Sequence, residues 1–196
     1  MTAGGIPPGD RPPGETAWDG DAYQRRLDAL ADSGVDVHGE VEFLMALAPR
    51  SVLDAGCGTG RVAAELTRRG VEAVGIDRDP SMIAAARRLA PGVRFEVLDV
   101  TEADLEERFD LVVMAGNVPL FTPEGTQDAL VAGCARHLQP GGRLVAGFQL
   151  GRGYAVRDYD AACTAVGLDL ESRWSTWDRV PFAGGGDYVV SVHRSD

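Results

Sequence analysis

Three glycines spaced two apart, in Asp54-Ala55-Gly56-Cys57-Gly58-Thr59-Gly60, follow the β-rich run 51–55 and precede a helical stretch that begins near residue 60. Glycines permit a tight turn and close backbone approach to a ligand. The helix start that follows offers unpaired N–H groups, an arrangement suited to a nucleotide. Such a triplet is common by itself and gains meaning from its place between a strand and a helix. Two carboxylates stand where a nucleoside would need them. Asp77 closes the next β-rich run, about 20 residues after the glycines, the position from which a carboxylate accepts from both ribose hydroxyls. Asp99 closes the run after that, where an acid can accept from an exocyclic adenine amine. One aspartate at a strand end is equally well a cap or a turn residue. Asp79, directly before Pro80, already fills the cap role in its stretch, which leaves Asp77 for a ligand.

The elements that must position these groups alternate regularly. Runs with strand composition occur at 51–55, 71–76, 93–98, 110–115 and 143–150, with helical stretches between them at 60–69, 80–90 and 123–138. Asp79-Pro80 and Thr122-Pro123 mark two helix starts, and residues 103–107 form a weaker helical pattern. Strands that alternate with helices predict an α/β fold with a parallel sheet and right-handed crossovers. The end breaks the rhythm. After a helix near 157–166, the runs 168–177 and 187–194 are joined by a loop containing Gly184-Gly185-Gly186, which predicts an antiparallel hairpin. Residues 1–16 are rich in Pro and Gly and read as a flexible tail. Residues 17–196 read as a single domain, opening with two helices over 17–48.

The chain has 196 residues with 30 acidic and 19 basic side chains, a net charge of −11. That length accommodates one domain with a full core. Every basic residue is Arg; no Lys occurs anywhere. Schiff-base chemistry, a phosphate loop ending in Gly-Lys-Ser/Thr and a Tyr-Lys catalytic pair are therefore excluded. The acidic balance argues against a nucleic-acid footprint, which needs a basic face. Cys57, Cys134 and Cys163 are far apart and suggest neither a metal site nor a disulfide framework. No apolar run reaches the roughly 20 residues of a membrane helix. The N-terminus lacks a secretory pattern, so the cytoplasm is the expected location and no membrane partner is expected.

The segments VLDAGCGTGR, GIDRDPSMI, VLDV and FDLVVMAGNV closely resemble the successive motifs of class I S-adenosylmethionine-dependent methyltransferases. Nicotinamide dehydrogenases usually carry GxGxxG instead. The resemblance covers about residues 20–194. It implies a Rossmann-like three-layer α/β sandwich whose seven-stranded, mostly parallel sheet has the order 3-2-1-4-5-7-6 with strand 7 antiparallel. It also implies S-adenosylmethionine as cofactor and S-adenosylhomocysteine as product. Carried over, Gly56, Gly58 and Gly60 pass beneath the amino-acid and ribose portions, with Cys57 packed in the loop. Asp54 orients that loop or meets the cofactor's ammonium. Asp77 holds the ribose, Arg78 and Met82 flank the adenine, and Asp99 with the Val100 backbone reads the adenine edge. Ala115, Gly116 and Asn117 stand beside the methionine moiety.

An activated methyl asks the protein mainly for alignment, and for a base only where the acceptor must lose a proton. No residue is assigned as catalytic base. His38 is a candidate near the segment that covers the cofactor in similar enzymes, although a surface or capping histidine is the favoured reading. His137 reads as a partner of a helix dipole and His193 as a strand residue. The resemblance implies that Trp18, Tyr23 and Arg26 belong to an N-terminal lid; Tyr23 or Arg26 could then reach the cofactor carboxylate, or all three could simply pack. Phe121, Phe148, Gln149 and Tyr154 follow strands 4 and 5 and are candidates for the acceptor pocket or for packing. Asn117-Val118-Pro119-Leu120-Phe121 departs from the Asn/Asp-Pro-Pro-aromatic motif of DNA and protein-amide methylases, which favours a small-molecule acceptor. A nicotinamide-dependent oxidoreductase and a non-catalytic cofactor-binding module are the rival readings. The sequence carries no signal for oligomeric state.

Overall fold

The computed structural model describes residues 19–34 and 39–196. The expected tail over 1–16, Trp18 and His38 lie outside these residues. The strands are β1 (Ser51–Ala55), β2 (Glu72–Asp77), β3 (Arg94–Val97), β4 (Phe109–Met114), β5 (Leu138–Gln149), β6 (Leu168–Trp174) and β7 (Tyr188–Ser195). They form one sheet in the order β3-β2-β1-β4-β5-β7-β6. Pairing is parallel from β3 through β5, and β7 runs antiparallel to both β5 and β6. This is the arrangement that the family resemblance implies.

Helices cover both faces: α1 (Gly20–Asp32), α2 (Gly39–Met45), α3 (Arg61–Arg68), α4 (Pro80–Leu89), the single turn α5 (Val118–Phe121), α6 (Gln127–Arg136) and α7 (Val156–Ala165). Successive strand residues point to opposite faces, so the sheet divides the core in two. Leu53, Ile76, Met114, Leu144 and Phe148 pack with α6 and α7 on one side. Val52, Val113, Val145 and Val190 pack with α2, α3 and α4 on the other. Asp79 caps α4 as expected, its Oδ1 accepting from the N–H groups of Ser81 (2.8 Å) and Met82 (3.3 Å).

Three local expectations need correction. The helix expected from Thr122-Pro123 starts instead at Gln127. Gly125, at φ +82°, turns the chain there, and the Thr126 N–H closes that turn on the Pro123 carbonyl at 3.0 Å. Residues 103–107 form no helix, because Glu106 adopts φ +55° and donates to Asp104 Oδ1 at 3.1 Å. His137 is not simply a partner of the helix dipole. It is fully buried, with Nδ1 bonded to the Gly133 carbonyl at 2.8 Å and Nε2 accepting from the Leu105 N–H at 3.1 Å. The tautomer protonated on Nδ1 satisfies both bonds and straps the segment after β3 onto α6.

Candidate cofactor site

The carboxyl ends of β1, β2 and β4 open into a cleft of about 1040 Å³, a volume that includes its solvent-facing mouth. Clefts outside the carboxyl edge of an open parallel sheet are where ligands of such folds bind. Its floor is the glycine loop. Gly56, Gly58 and Gly60 all hold positive φ values, at +77°, +55° and +81°. At two of them a side chain would also collide with neighbours: a Cβ on Gly56 would lie 2.7 Å from Val118, and one on Gly60 2.5 Å from the Phe95 ring. Glycine is needed at both for conformation and for space. Gly75 needs glycine for space alone, since a Cβ there would lie 2.6 Å from the Phe95 ring and 2.9 Å from Cys57 Sγ.

Four aspartates line the cleft, and besides the α4 cap Asp79 they are Asp77, Asp99 and Asp54. Asp77 ties the loop to the next turn: its Oδ2 accepts from the Gly58 N–H and its Oδ1 from the Asp79 N–H, both at 2.9 Å. Burial pushes its carboxyl above the usual range. Asp99 stands alongside, because the Leu98 N–H bonds the Asp77 carbonyl at 3.0 Å. Its Oδ1 accepts from the N–H and hydroxyl of Thr101. Asp54 lies deepest, 2% exposed, with Oδ2 accepting from the Ala63 N–H at 3.2 Å. Burial pushes the Asp54 carboxyl from its ordinary value near 3.8 up to about 7, with the nearby Arg61 charge pulling the other way.

That shift gives a stability prediction with a definite sign. The unfolded chain ionises Asp54 near 3.8 and the folded chain near 7. Between those values the folded state binds more protons, so this group's contribution is fully present below the lower value and is lost as pH rises through the upper one. Asp54→Asn removes the penalty and keeps an acceptor for Ala63. In thermal melts of the ligand-free protein, the variant is expected to exceed wild type by several degrees near pH 8 and to match it near pH 4. Equal midpoints at both pH values would contradict this placement of Asp54.

Of the other expected site residues, Cys57, Arg78, Met82, Val100, Ala115, Gly116, Tyr23 and Phe121 also line the cleft. Cys57 is packed rather than poised: burial raises its thiol well above the ordinary range, the opposite of what a nucleophile requires. Gly60 and Asn117 support the wall from behind. Asn117 adopts φ +70°, accepts from the Gln149 N–H at 2.7 Å and donates its own N–H to the Gly147 carbonyl. Arg26 is exposed and stands over the Tyr23 ring instead of facing the cleft. Phe148 is a correction. It is fully buried in the layer under α7, with its ring centroid 5.5 Å from Tyr159 and 5.8 Å from Tyr154, and does not reach the pocket. Gln149 and Tyr154 likewise fall outside the lining.

Residue-type reasoning missed Arg61, Thr59, Leu27, Val118 and Leu130, which line the cleft as well. Arg61 had a readable signal: a cation in the first turn of a helix opposes the dipole and calls for a specific partner. That partner is Glu40, which accepts from both terminal guanidinium nitrogens, at 2.8 and 3.0 Å. Tyr23 closes over Gly58 from α1, and Thr59 Oγ1 donates to Gln24 Oε1 at 2.7 Å, fastening α1 to the loop. Acidic acceptors, close-packed backbone and a partly apolar wall together suit a polyhydroxylated nucleoside with an attached cationic group.

Comparison with known proteins agrees with this geometry. The family described as "Methyltransferase domain" matches residues 52–142. A trans-aconitate 2-methyltransferase from Methylobacterium nodulans is 36% identical over 129 residues, covering 65% of this chain and 48% of the relative. A ubiquinone biosynthesis O-methyltransferase from a Bradyrhizobium species is 34% identical over 127 residues, covering 63% of this chain and 47% of the relative. The chain thus spans about half the length of these curated relatives. Among solved structures, a TehB-like S-adenosylmethionine-dependent methyltransferase from Corynebacterium glutamicum is 37% identical with a TM-score of 0.86, covering 90% of this chain and 98% of that one.

Proposed function

This chain belongs to the class I S-adenosylmethionine-dependent methyltransferases, and from that membership we propose that it methylates a small-molecule acceptor by in-line displacement. The observation that carries the reading is the cleft itself, in which Asp77, bonded to the glycine-loop backbone, and Asp99 face one nucleoside-sized space. Bound there, S-adenosylmethionine supplies a methyl group already activated on a sulfonium.

Asp77 accepts from the ribose hydroxyls. Asp99 and the Val100 backbone meet the adenine edge, with Arg78 and Met82 flanking the ring. Gly56 and Gly58 let the loop backbone pass close beneath the amino-acid portion, and Asp54 faces its ammonium. Ala115 and Gly116 border the reacting end, kept in place by Asn117. The chain's task is then to align the acceptor with the sulfur, and alignment of this kind supplies much of the acceleration. Two curated relatives bear names of small-molecule methyl transfers, one on trans-aconitate and one in ubiquinone biosynthesis, which supports a small-molecule acceptor here.

Incubating the protein with methyl-labelled cofactor and a metabolite extract tests the proposal. A labelled small molecule that is absent when the Asp77→Ala variant replaces wild type is the expected result. Binding of the cofactor with no labelled product from any extract would make the chain a non-catalytic binding module.

A further inference from the structure

We propose that α7 is an acid-released latch: protonation of His193, which lies buried beneath the helix, undocks it together with residues 150–155 that lead into it. The inference does not depend on which ligand fills the cleft. His193 sits on β7, 1% exposed, with its ring edge-on to Tyr159 of α7 at 5.1 Å and 88°. Its Nε2 lies 3.3 Å from Asp160 Oδ1, on the same helix. Arg173 of β6 donates through Nη2 to that same oxygen, and through Nε to Ser191 Oγ at 2.9 Å. The neutral imidazole fits this setting. A proton on Nε2 faces Asp160, and Nδ1 is left as a buried lone pair with no partner among the described residues.

A second proton has no such place. It would put an N–H on Nδ1 where the described residues offer no acceptor, and an unpaired buried donor carries its full desolvation penalty. The groups around the ring do not offset this. α7 contributes Tyr159 and Asp160, and β6 contributes Arg173 and Asp169. Cys163 of α7 and Cys134 of α6 border Tyr159, and β5 presents the apolar Leu144 opposite His193 in register. The two aspartates attract an imidazolium, but Arg173 already occupies Asp160 and repels a second cation. Burial is the largest influence and pushes the imidazole below its ordinary value near 6.5. The docked state therefore binds fewer protons than the released one. Support for docking is present above 6.5 and is lost as pH falls toward the lower, docked value.

The helix is lightly held. It buries only Tyr159, Ala162 and Cys163, and Ala155 at its N-cap offers no capping side chain. Gly153 and Gly167 flank it at φ +92° and +76°, both exposed and with open space around them, so either end can swivel. Tyr154 and Tyr159 also bury hydroxyls that have no partner among the described residues. Docking thus leaves three polar groups dry, and release lets water reach all of them. The movement reaches the cleft through Asn117. That residue braces the cleft wall and accepts from the Gln149 N–H at 2.7 Å, directly before the segment that is freed.

Hydrogen–deuterium exchange tests the latch, read on α7 and on α3 and corrected for the intrinsic pH dependence of exchange. Between pH 7.5 and 5.5 the opening of α7 in wild type is expected to rise by about five- to tenfold, the scale set by one pH unit below the free imidazole value. α3 is expected to stay level or to slow, because Asp54 acts with the opposite sign over this range. His193→Gln keeps an amide for Asp160 but takes up no proton, and its α7 is expected to open equally at both pH values. The chain has three histidines, so the His193 ring resonances can be followed directly; they are expected to titrate below the free value. A parallel rise in α7 and α3, no rise in α7, or a rise that persists in His193→Gln would overturn the proposal. The comparison of α7 with α3 in wild type is decisive even if the variant fails to fold.

Discussion

Replacing Asp77 by Ala is expected to weaken S-adenosylhomocysteine binding by about 100-fold or more in calorimetric titration. Two effects add. The carboxylate gives up two charge-assisted hydrogen bonds to the ribose hydroxyls, each contributing about 1.5–3 kcal/mol. It also releases the Gly58 and Asp79 N–H groups, which it holds at 2.9 Å, so the glycine loop and the β2–α4 turn lose their common anchor. Asp77→Asn keeps one oxygen acceptor and is expected to fall between Ala and wild type. Both N–H groups lie at half-buried positions that water can reach, so the ligand-free Ala variant should melt within a few degrees of wild type. Affinity within threefold of wild type would place the ribose elsewhere.

Gly133→Ala is expected to destabilise the protein, although helix propensity alone predicts the opposite. In an exposed helix interior, Ala is favoured over Gly by about 1 kcal/mol. Here α6 crosses the segment after β3 so closely that a Cβ on Gly133 would lie 2.0 Å from the Val100 carbonyl oxygen and 2.9 Å from its carbon. Both obstacles are backbone, so no side chain can rotate out of the way. The two segments are also strapped together, since Arg136 donates to the Thr101 and Ala103 carbonyls and His137 accepts from the Leu105 N–H. Overpacking in such a place costs about 2–4 kcal/mol. A thermal midpoint lower by roughly 5–12 °C is the expected outcome for a domain of this size. Because Val100 and Asp99 ride on the displaced segment, cofactor affinity should fall as well. A midpoint at or above wild type would contradict the close crossing.

The parallel α/β architecture, the terminal hairpin and the glycine-loop pattern were legible because they follow from local signals, whereas the strand order was implied only by the family resemblance. Alternating strands and helices limit the topology, and a glycine turn at a strand end followed by carboxylates at the next two strand ends is a positional pattern that survives without coordinates. Phe148 shows what a single-residue reading loses. Strand parity places it with Leu144 and Ala146 on the α6–α7 face, so its burial could have been read from β5 itself. Thr122-Pro123 carried a sound cap signal that Gly125 overrode three residues later. Glu40 is different in kind. Its role depends on α2 docking beside the start of α3, a contact between elements that no local pattern encodes. His137 is similar: a histidine at a helix end reads only as a partner of the helix dipole until the segment bearing Leu105 is packed over it.

Titration of the wild-type protein with S-adenosylhomocysteine, run beside an identical titration with NAD, tests the central claim most directly. Saturable binding of S-adenosylhomocysteine at one site per chain, with no comparable response to NAD, is the predicted result. Binding of NAD with no response to S-adenosylhomocysteine would contradict the account and assign the cleft to a nicotinamide cofactor.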